Sequence, residues 1–89
     1  MMRPIQLTSH AVEDYRHWEK HDKKILKRIH ALIENIAQTP FSGIGKPEPL
    51  KDNLAGFWSR RIDQKHRLVY EVFQDQITIH GLRFHYSDK

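Results

Sequence analysis

The chain has 89 residues, 38% hydrophobic and 29% charged, which suits one small folded domain (residues 1–89) whose core is thin, since a chain this short buries only about 60–65% of the surface its unfolded form exposes. Lys and Arg number 15 against 11 Asp and Glu, with seven His, for a formal charge of +4, a balance that favours polyanionic or acidic protein partners. The absence of cysteine removes a disulfide framework, a thiolate metal site and a cysteine nucleophile and agrees with a reducing cytoplasm, while no apolar run is long enough for a membrane span or a secretion signal.

Residues 4–7, Pro-Ile-Gln-Leu, predict a short opening strand. Thr8 or Ser9 is placed to cap a helix to about His21, with Val12, Tyr15 and Trp18 on one face. Asp22 is a natural N-cap for a second helix, whose apolar positions Ile25, Leu26, Ile29, Leu32, Ile33 and Ile36 keep helical spacing over three turns. Lys23, Lys24, Lys27, Arg28 and Glu34 share its other face. Thr39 precedes a proline and is pushed out of the α region, which sets the helix end near Gln38. Residues 40–49, rich in proline and glycine, read as a loop. Residues 56–63, 66–73 and 76–86 predict three strands, joined by the polar turns Gln64-Lys65 and Gln74-Asp75. Turns that short make the strands antiparallel neighbours. The order is β-α-α-β-β-β: an α+β fold with both helices on one face of an antiparallel sheet.

Strand alternation divides these segments in two. Trp58, Ile62, Leu68, Tyr70, Val72, Leu82 and Phe84 suit the helix-packed face. Arg61, Arg67, Arg83 and His85 fall on the other parity and are expected to project from the open face, because burying them would strand several charges.

Lys46, Glu48, Lys51, Arg61, Arg67, Arg83, His85 and Tyr86 together hold the groups that metal-free RNA cleavage needs. These are a base for the 2′-hydroxyl, cations for the charge growing on phosphorus, and an acid for the leaving 5′-oxygen. Arginine suits phosphate because its planar fork binds two oxygens at once. On spacing alone, a solvated basic strand face explains the same residues. Glu13, His17 and His21 recur every four residues and read as an exposed polar stripe, so no metal site is expected. His10, His30 and His80 stand alone and read as surface or satisfied interior histidines. Residues 43–46 lack the gap and the Ser or Thr of a phosphate-binding loop. Trp58 lies on the core parity and reads as packing.

Six stretches carry a resemblance over nearly the whole chain, from about Ile5 to Tyr86. They are Asp14-Tyr15-Arg16-His17-Trp18, Thr39-Pro40-Phe41, Gly45-Lys46-Pro47-Glu48-Pro49-Leu50-Lys51, Asn53-Leu54-Ala55-Gly56-Phe57-Trp58-Ser59-Arg60-Arg61, His66-Arg67-Leu68-Val69-Tyr70 and Arg83-Phe84-His85-Tyr86. The sequence resembles the Txe/YoeB toxins of the RelE/ParE toxin–antitoxin superfamily. That resemblance implies a RelE-like fold and a ribosome-dependent mRNA endoribonuclease that cuts in the ribosomal A site without metal or cofactor. It implies as partners a cognate acidic antitoxin, the 70S ribosome with its rRNA and mRNA, and a possible second copy of the chain. It assigns Glu48 as general base, Arg67 to the charge on the scissile phosphate, His85 as general acid and Tyr86 to placing the RNA. Lys46, Lys51, Arg61 and Arg83 would bind RNA phosphates, and the Lys23, Lys24, Lys27 and Arg28 face would grip rRNA. Many relatives stop at or just after the His-Tyr pair, whereas Ser87-Asp88-Lys89 follows here. Two other readings stay open: a ParE-like toxin that inhibits gyrase, and a basic RNA- or ribosome-binding module without chemistry.

Overall fold

A computed structural model describes residues 2–84. Strand β1 (Ile5–Leu7) leads into helices α1 (Ser9–His21) and α2 (Lys23–Gln38), followed by strands β2 (Glu48–Pro49), β3 (Phe57–Arg61), β4 (Arg67–Val72) and β5 (Ile77–Gly81), with one 3₁₀ turn (Asp52–Leu54) between β2 and β3. Both helices start where their caps dictate. The Thr8 hydroxyl accepts the Ala11 N–H, and the Asp22 carboxylate accepts those of Lys24 and Ile25, satisfying donors that the first helical turn leaves open.

The sheet runs β1-β5-β4-β3-β2. The expected α+β fold stands, with two additions at its edges. β1 pairs with β5 in parallel, Ile5 against Ile77 and Leu7 against Ile79; it is joined to the rest through helices, so no tight turn forces it antiparallel. The end of the expected loop forms β2, with Glu48 opposite Ser59 and Pro49 opposite Trp58. Two residues are too few to show alternation, and a proline without an N–H belongs on such an edge.

Ala11 and Trp18 of α1 and Ile29, Leu32 and Ile36 of α2 pack on Ile62, Leu68, Tyr70, Ile77, Ile79 and Leu82. The α1 stripe that reaches this core is Ala11, Asp14 and Trp18, displaced from the Val12–Tyr15–Trp18 face expected. A register shift lets Tyr70 face Ile79 while Val69 faces Gly81, so that His80 is an extra residue in β5. Such a bulge reverses the parity of the residues beyond it. Ile77 and Ile79 point at the helices, and so does Leu82 beyond the bulge. The third predicted strand therefore ends at Gly81 rather than running to 86, and Phe84 is exposed rather than in the core.

Alternation also carries Arg60, between Trp58 and Ile62, fully into the interior. A guanidinium has five N–H donors in a fixed fork, and here each has an oxygen. Nε donates to the Tyr70 hydroxyl (3.1 Å), Nη1 to Asn35 Oδ1 (2.6 Å) and the Ile44 carbonyl (2.8 Å), and Nη2 to the carbonyls of Thr39 (2.8 Å) and Ser42 (3.0 Å). Burial pushes the Tyr70 phenol up, with the Arg60 hydrogen bond opposing; the neutral hydroxyl donates onward to the Pro40 carbonyl at 2.7 Å. The loop thus wraps a buried cation. Gly43 sits at φ +123°, and a Cβ there would overlap Asn35 Oδ1, the atom that holds Arg60.

Arg60→Met fills similar volume and leaves those oxygens without their donor. At about 1–3 kcal/mol for each buried group left unsatisfied, the variant is expected to lose more than about 3 kcal/mol in urea denaturation. Arg60→Lys, with three donors, recovers only part of this. A near-neutral Arg60→Met would show that the loop does not depend on the guanidinium.

Candidate active site

Residues directly opposite each other in an antiparallel ladder share a face. Glu48 opposes Ser59, and Arg61 opposes Arg67. Since Trp58 and Arg60 point at the helices, Glu48, Ser59, Arg61 and Arg67 all point away from them. Two strand spacings and two residues of rise put the backbones of Glu48 and Arg67 roughly 12 Å apart.

The loop that delivers Glu48 is docked tightly. Gly45, at φ +81°, accepts the Arg61 N–H on its carbonyl at 2.7 Å, and a Cβ there would lie 2.8 Å from Leu32 Cδ2. Lys46 holds a left-handed φ of +53° beside it. After β2, Leu50 is buried and its N–H donates to the Phe57 carbonyl. Glu48, Pro49, Leu50, Lys51 and Asp52 line a shallow cavity of about 280 Å³. The expected Lys46, Glu48, Lys51 and Arg61 are all exposed, with Lys51 lining this cavity beside Glu48.

Arg67 is half-buried, and its Nη1 donates to the Asp63 carbonyl at 2.7 Å and the His66 carbonyl at 3.1 Å. The turn it leans on is fixed by Asp63, whose Oδ1 accepts the N–H groups of Lys65 (2.9 Å) and His66 (2.6 Å). Among the described residues no carboxylate pairs with Arg61 or Arg67. The backbone N–H of Arg67 donates to the Phe84 carbonyl at 3.1 Å. His85 and Tyr86 lie outside the described residues.

Two expected cations sit elsewhere. Arg83 does not join the open face: its guanidinium lies over the rings of Phe84 (4.7 Å) and Trp18 (5.9 Å), beside α1, with Nε buried and without a partner among the described residues. The bulge and the end of β5 break the parity that would have aligned it with Arg67. On α2, Lys23, Lys24 and Lys27 are exposed, but Arg28 turns back to donate to the Arg61 carbonyl at 3.1 Å.

The lone histidines are accounted for locally, His10 with its Nε2 3.5 Å from Asp14 Oδ2. His30 Nε2 bonds the Tyr15 hydroxyl at 2.7 Å, and His80 meets Glu71 at 3.2 Å while stacking on Phe57. Among the described residues no group of three His, Asp or Glu gathers to hold a metal ion. Trp58 packs against Phe41.

Sequence reasoning passed over Asp14 and His66. Asp14 is buried and its Oδ2 accepts the Leu82 N–H at 2.9 Å; its place on the apolar stripe between Ala11 and Trp18 was the available signal. His66 Nδ1 accepts the Phe84 N–H at 2.7 Å, a contact between distant segments that no local pattern announces.

The family model for the YoeB-like toxin of bacterial type II toxin-antitoxin systems matches residues 7–86. The chain belongs to this family. It is 57% identical over 82 residues to Toxin YoeB of Streptomyces coelicolor, covering 92% of this chain and 98% of that one, and 55% identical over 74 residues to Toxin YoeB of Escherichia coli K12, covering 83% and 88%. The YoeB dimer from Staphylococcus aureus superposes with a TM-score of 0.89 at 42% identity, covering 97% of this chain and all of that one. A YoeB–YefM complex from the same organism contains a chain that superposes at 0.86 and 41%. The protein is therefore a toxin of a type II toxin–antitoxin system. No helix among its described residues is long and apolar enough to cross a membrane.

The imidazolium form of His66 is disfavoured, chiefly by burial; Asp63 opposes this, and Lys65, Arg83 and Arg67 add to it. The neutral ring is also what the Phe84 N–H requires. In the unfolded chain His66 titrates near its ordinary value of about 6.5. Below that pH the unfolded state binds more protons, so the stability His66 contributes is present above about pH 6.5 and is lost as pH falls through its lower folded value. Urea denaturation across pH 7 to 5 is expected to show a shallower loss for His66→Asn than for the wild type. Equal slopes would mean that His66 keeps an ordinary pKa in the fold.

Proposed function

We propose that this toxin is a ribosome-dependent mRNA endoribonuclease that cuts A-site mRNA by attack of the 2′-hydroxyl on the adjacent phosphate, with protein side chains alone. The observation that supports this most is the shared open face of Glu48 and the Arg61–Arg67 pair, together with the bond from the Arg67 N–H to the carbonyl of Phe84, the residue before His85.

Glu48 takes the 2′-hydroxyl proton as that oxygen attacks phosphorus. The bond from phosphorus to the 5′-oxygen breaks, and His85 gives that oxygen its proton. Charge accumulates on the non-bridging oxygens between these events. Arg67 meets it by exchanging neutral turn carbonyls for an anion, and charge-assisted bonds are roughly twice as strong as neutral ones. Lys46, Lys51 and Arg61 hold flanking phosphates, and Tyr86 places the RNA. Arg83, over Trp18, is left out of this set.

The exposed Lys23, Lys24 and Lys27 on α2 supply a contact to rRNA at a distance from the chemistry. A cytoplasmic acidic antitoxin segment inhibits by covering the basic open face, with association that weakens as salt rises.

Single-turnover cleavage on saturating ribosomes tests the assignment. Arg67→Ala is expected to lose about 10²–10³ in rate, and Glu48→Ala about 10²–10⁴. Replacing Lys23, Lys24 and Lys27 by Ala is expected to weaken ribosome binding and flatten its salt dependence while leaving the saturated rate unchanged. Full activity of Glu48→Ala would remove the proposed base.

A further inference from the structure

Beyond the end of β5 at Gly81 the chain leaves the sheet ladder, and its peptide groups need other partners. Four of them find partners within three residues. The Leu82 N–H donates to Asp14 Oδ2 (2.9 Å), and the Leu82 carbonyl accepts from Trp18 Nε1 (2.8 Å). The Phe84 N–H donates to His66 Nδ1 (2.7 Å), and the Phe84 carbonyl accepts from the Arg67 N–H (3.1 Å). Asp14 and Trp18 stand four apart on α1, hence one above the other, and grip both polar groups of a single residue. The Trp18 ring meets His66 edge to face at 4.8 Å, and the His66 ring lies 5.6 Å from Phe84. These side chains form one connected clamp.

The segment it holds is strained where strain is least expected. Phe84 adopts φ +62°, a left-handed conformation rare for an aromatic residue, and its side chain is exposed. Burial does not account for that conformation, and the hydrogen bonds on both sides of Phe84 do. Strain kept in place by surrounding contacts is a recurring mark of functional segments. The next residue in the chain is His85.

We infer that Asp14, Trp18 and His66 are positioning residues: by clamping residues 82–84 they set the direction in which the chain departs toward His85, and so where the general acid meets the leaving 5′-oxygen. This rests on the proposed cleavage chemistry. It gives His66 and two residues of α1, none of them on the face that carries Glu48, an effect on one proton transfer only. Glu48 is delivered by a different loop, so loosening the clamp impairs the acid and spares the base.

The test compares single-turnover cleavage of two ribosome-bound mRNAs, one ordinary and one with sulfur replacing the 5′-oxygen at the scissile bond. Sulfur departs without an acid. His66→Phe and Trp18→Phe keep an aromatic ring and lose the hydrogen bond. Each is expected to slow the ordinary substrate about 10–100-fold, the scale of a small misplacement of a reacting group, and to approach wild-type rate on the sulfur substrate. His66→Asn, which offers an acceptor oxygen near the place of Nδ1, is expected to stay within a few-fold of wild type on both. His85→Ala is the internal control. If sulfur does not relieve His85→Ala, the acid assignment itself fails. If sulfur relieves His85→Ala while both folded clamp variants are slowed equally on the two substrates, or not slowed at all, the positioning inference is overturned and the cleavage chemistry stands. Circular dichroism and melting identify the folded variants, and a loss of folding in both single-ring variants counts against a positioning role.

Discussion

Arg60 carries a positive charge into the interior, where its five N–H groups end on neutral oxygens from α2, the loop after it and β4. A buried cation is expensive unless every donor is met, and meeting them all determines the path of the chain from Thr39 to Ile44. From there the constraint propagates. Gly45 docks on the Arg61 N–H, Glu48 and Pro49 extend the sheet beside β3, and Glu48 turns to the open face. The loop looks irregular in sequence, yet it is organised around a single side chain.

The same alternation that buries Arg60 exposes Arg61. Two adjacent arginines thus take opposite roles, one saturating backbone carbonyls inside and one facing solvent beside Arg67. A one-residue slip in β3 would exchange them, burying a charge with no prepared oxygens and exposing Trp58. Register is therefore strongly specified, and with it the arrangement of charges on the open face. At the other end of the sheet the bulge at His80 turns Leu82 inward and brings its peptide groups under Asp14 and Trp18. Both segments that flank the candidate site are thus fixed from the helix side.

The features legible in the sequence were mostly local. Helix spans followed from Thr8, Asp22, the spacing of isoleucines and leucines on α2, and Pro40, all of which act within a turn or two. Strands β3 and β4 and the two-residue turn Gln74-Asp75 were equally plain, whereas the turn expected at Gln64-Lys65 is one residue longer, since Arg61 opposes Arg67 and Ile62 bonds His66. The pair β2–β3 was hidden, because Glu48-Pro49 has no pattern of its own and is a strand only by virtue of β3. The bulge was hidden for the same reason: it exists in the pairing of β5 with β4, and continuous alternation through residue 86 placed Phe84 in the core and Arg83 on the open face. Arg60 had a signal, its position between Trp58 and Ile62, but a core arginine is improbable until five acceptors are in view. Glu48 and Arg67 were grouped by residue type and received their roles only through family resemblance, since a loop and a strand separated by 19 positions carry no spacing rule; the fold then put them on one face.

The proposed chemistry makes a commitment that a plain basic RNA-binding surface does not. A carboxylate on one side of a bound nucleotide and arginines on the other suit attack by the RNA's own 2′-hydroxyl, with the phosphate charge met by guanidinium groups. Attack by water would leave different ends on the fragments. The most direct measurement is therefore the chemical identity of the two new ends when ribosome-bound mRNA is cut by the purified toxin. A 2′,3′-cyclic phosphate on the upstream fragment and a free 5′-hydroxyl on the downstream one are expected. A 3′-hydroxyl and a 5′-phosphate would contradict the account.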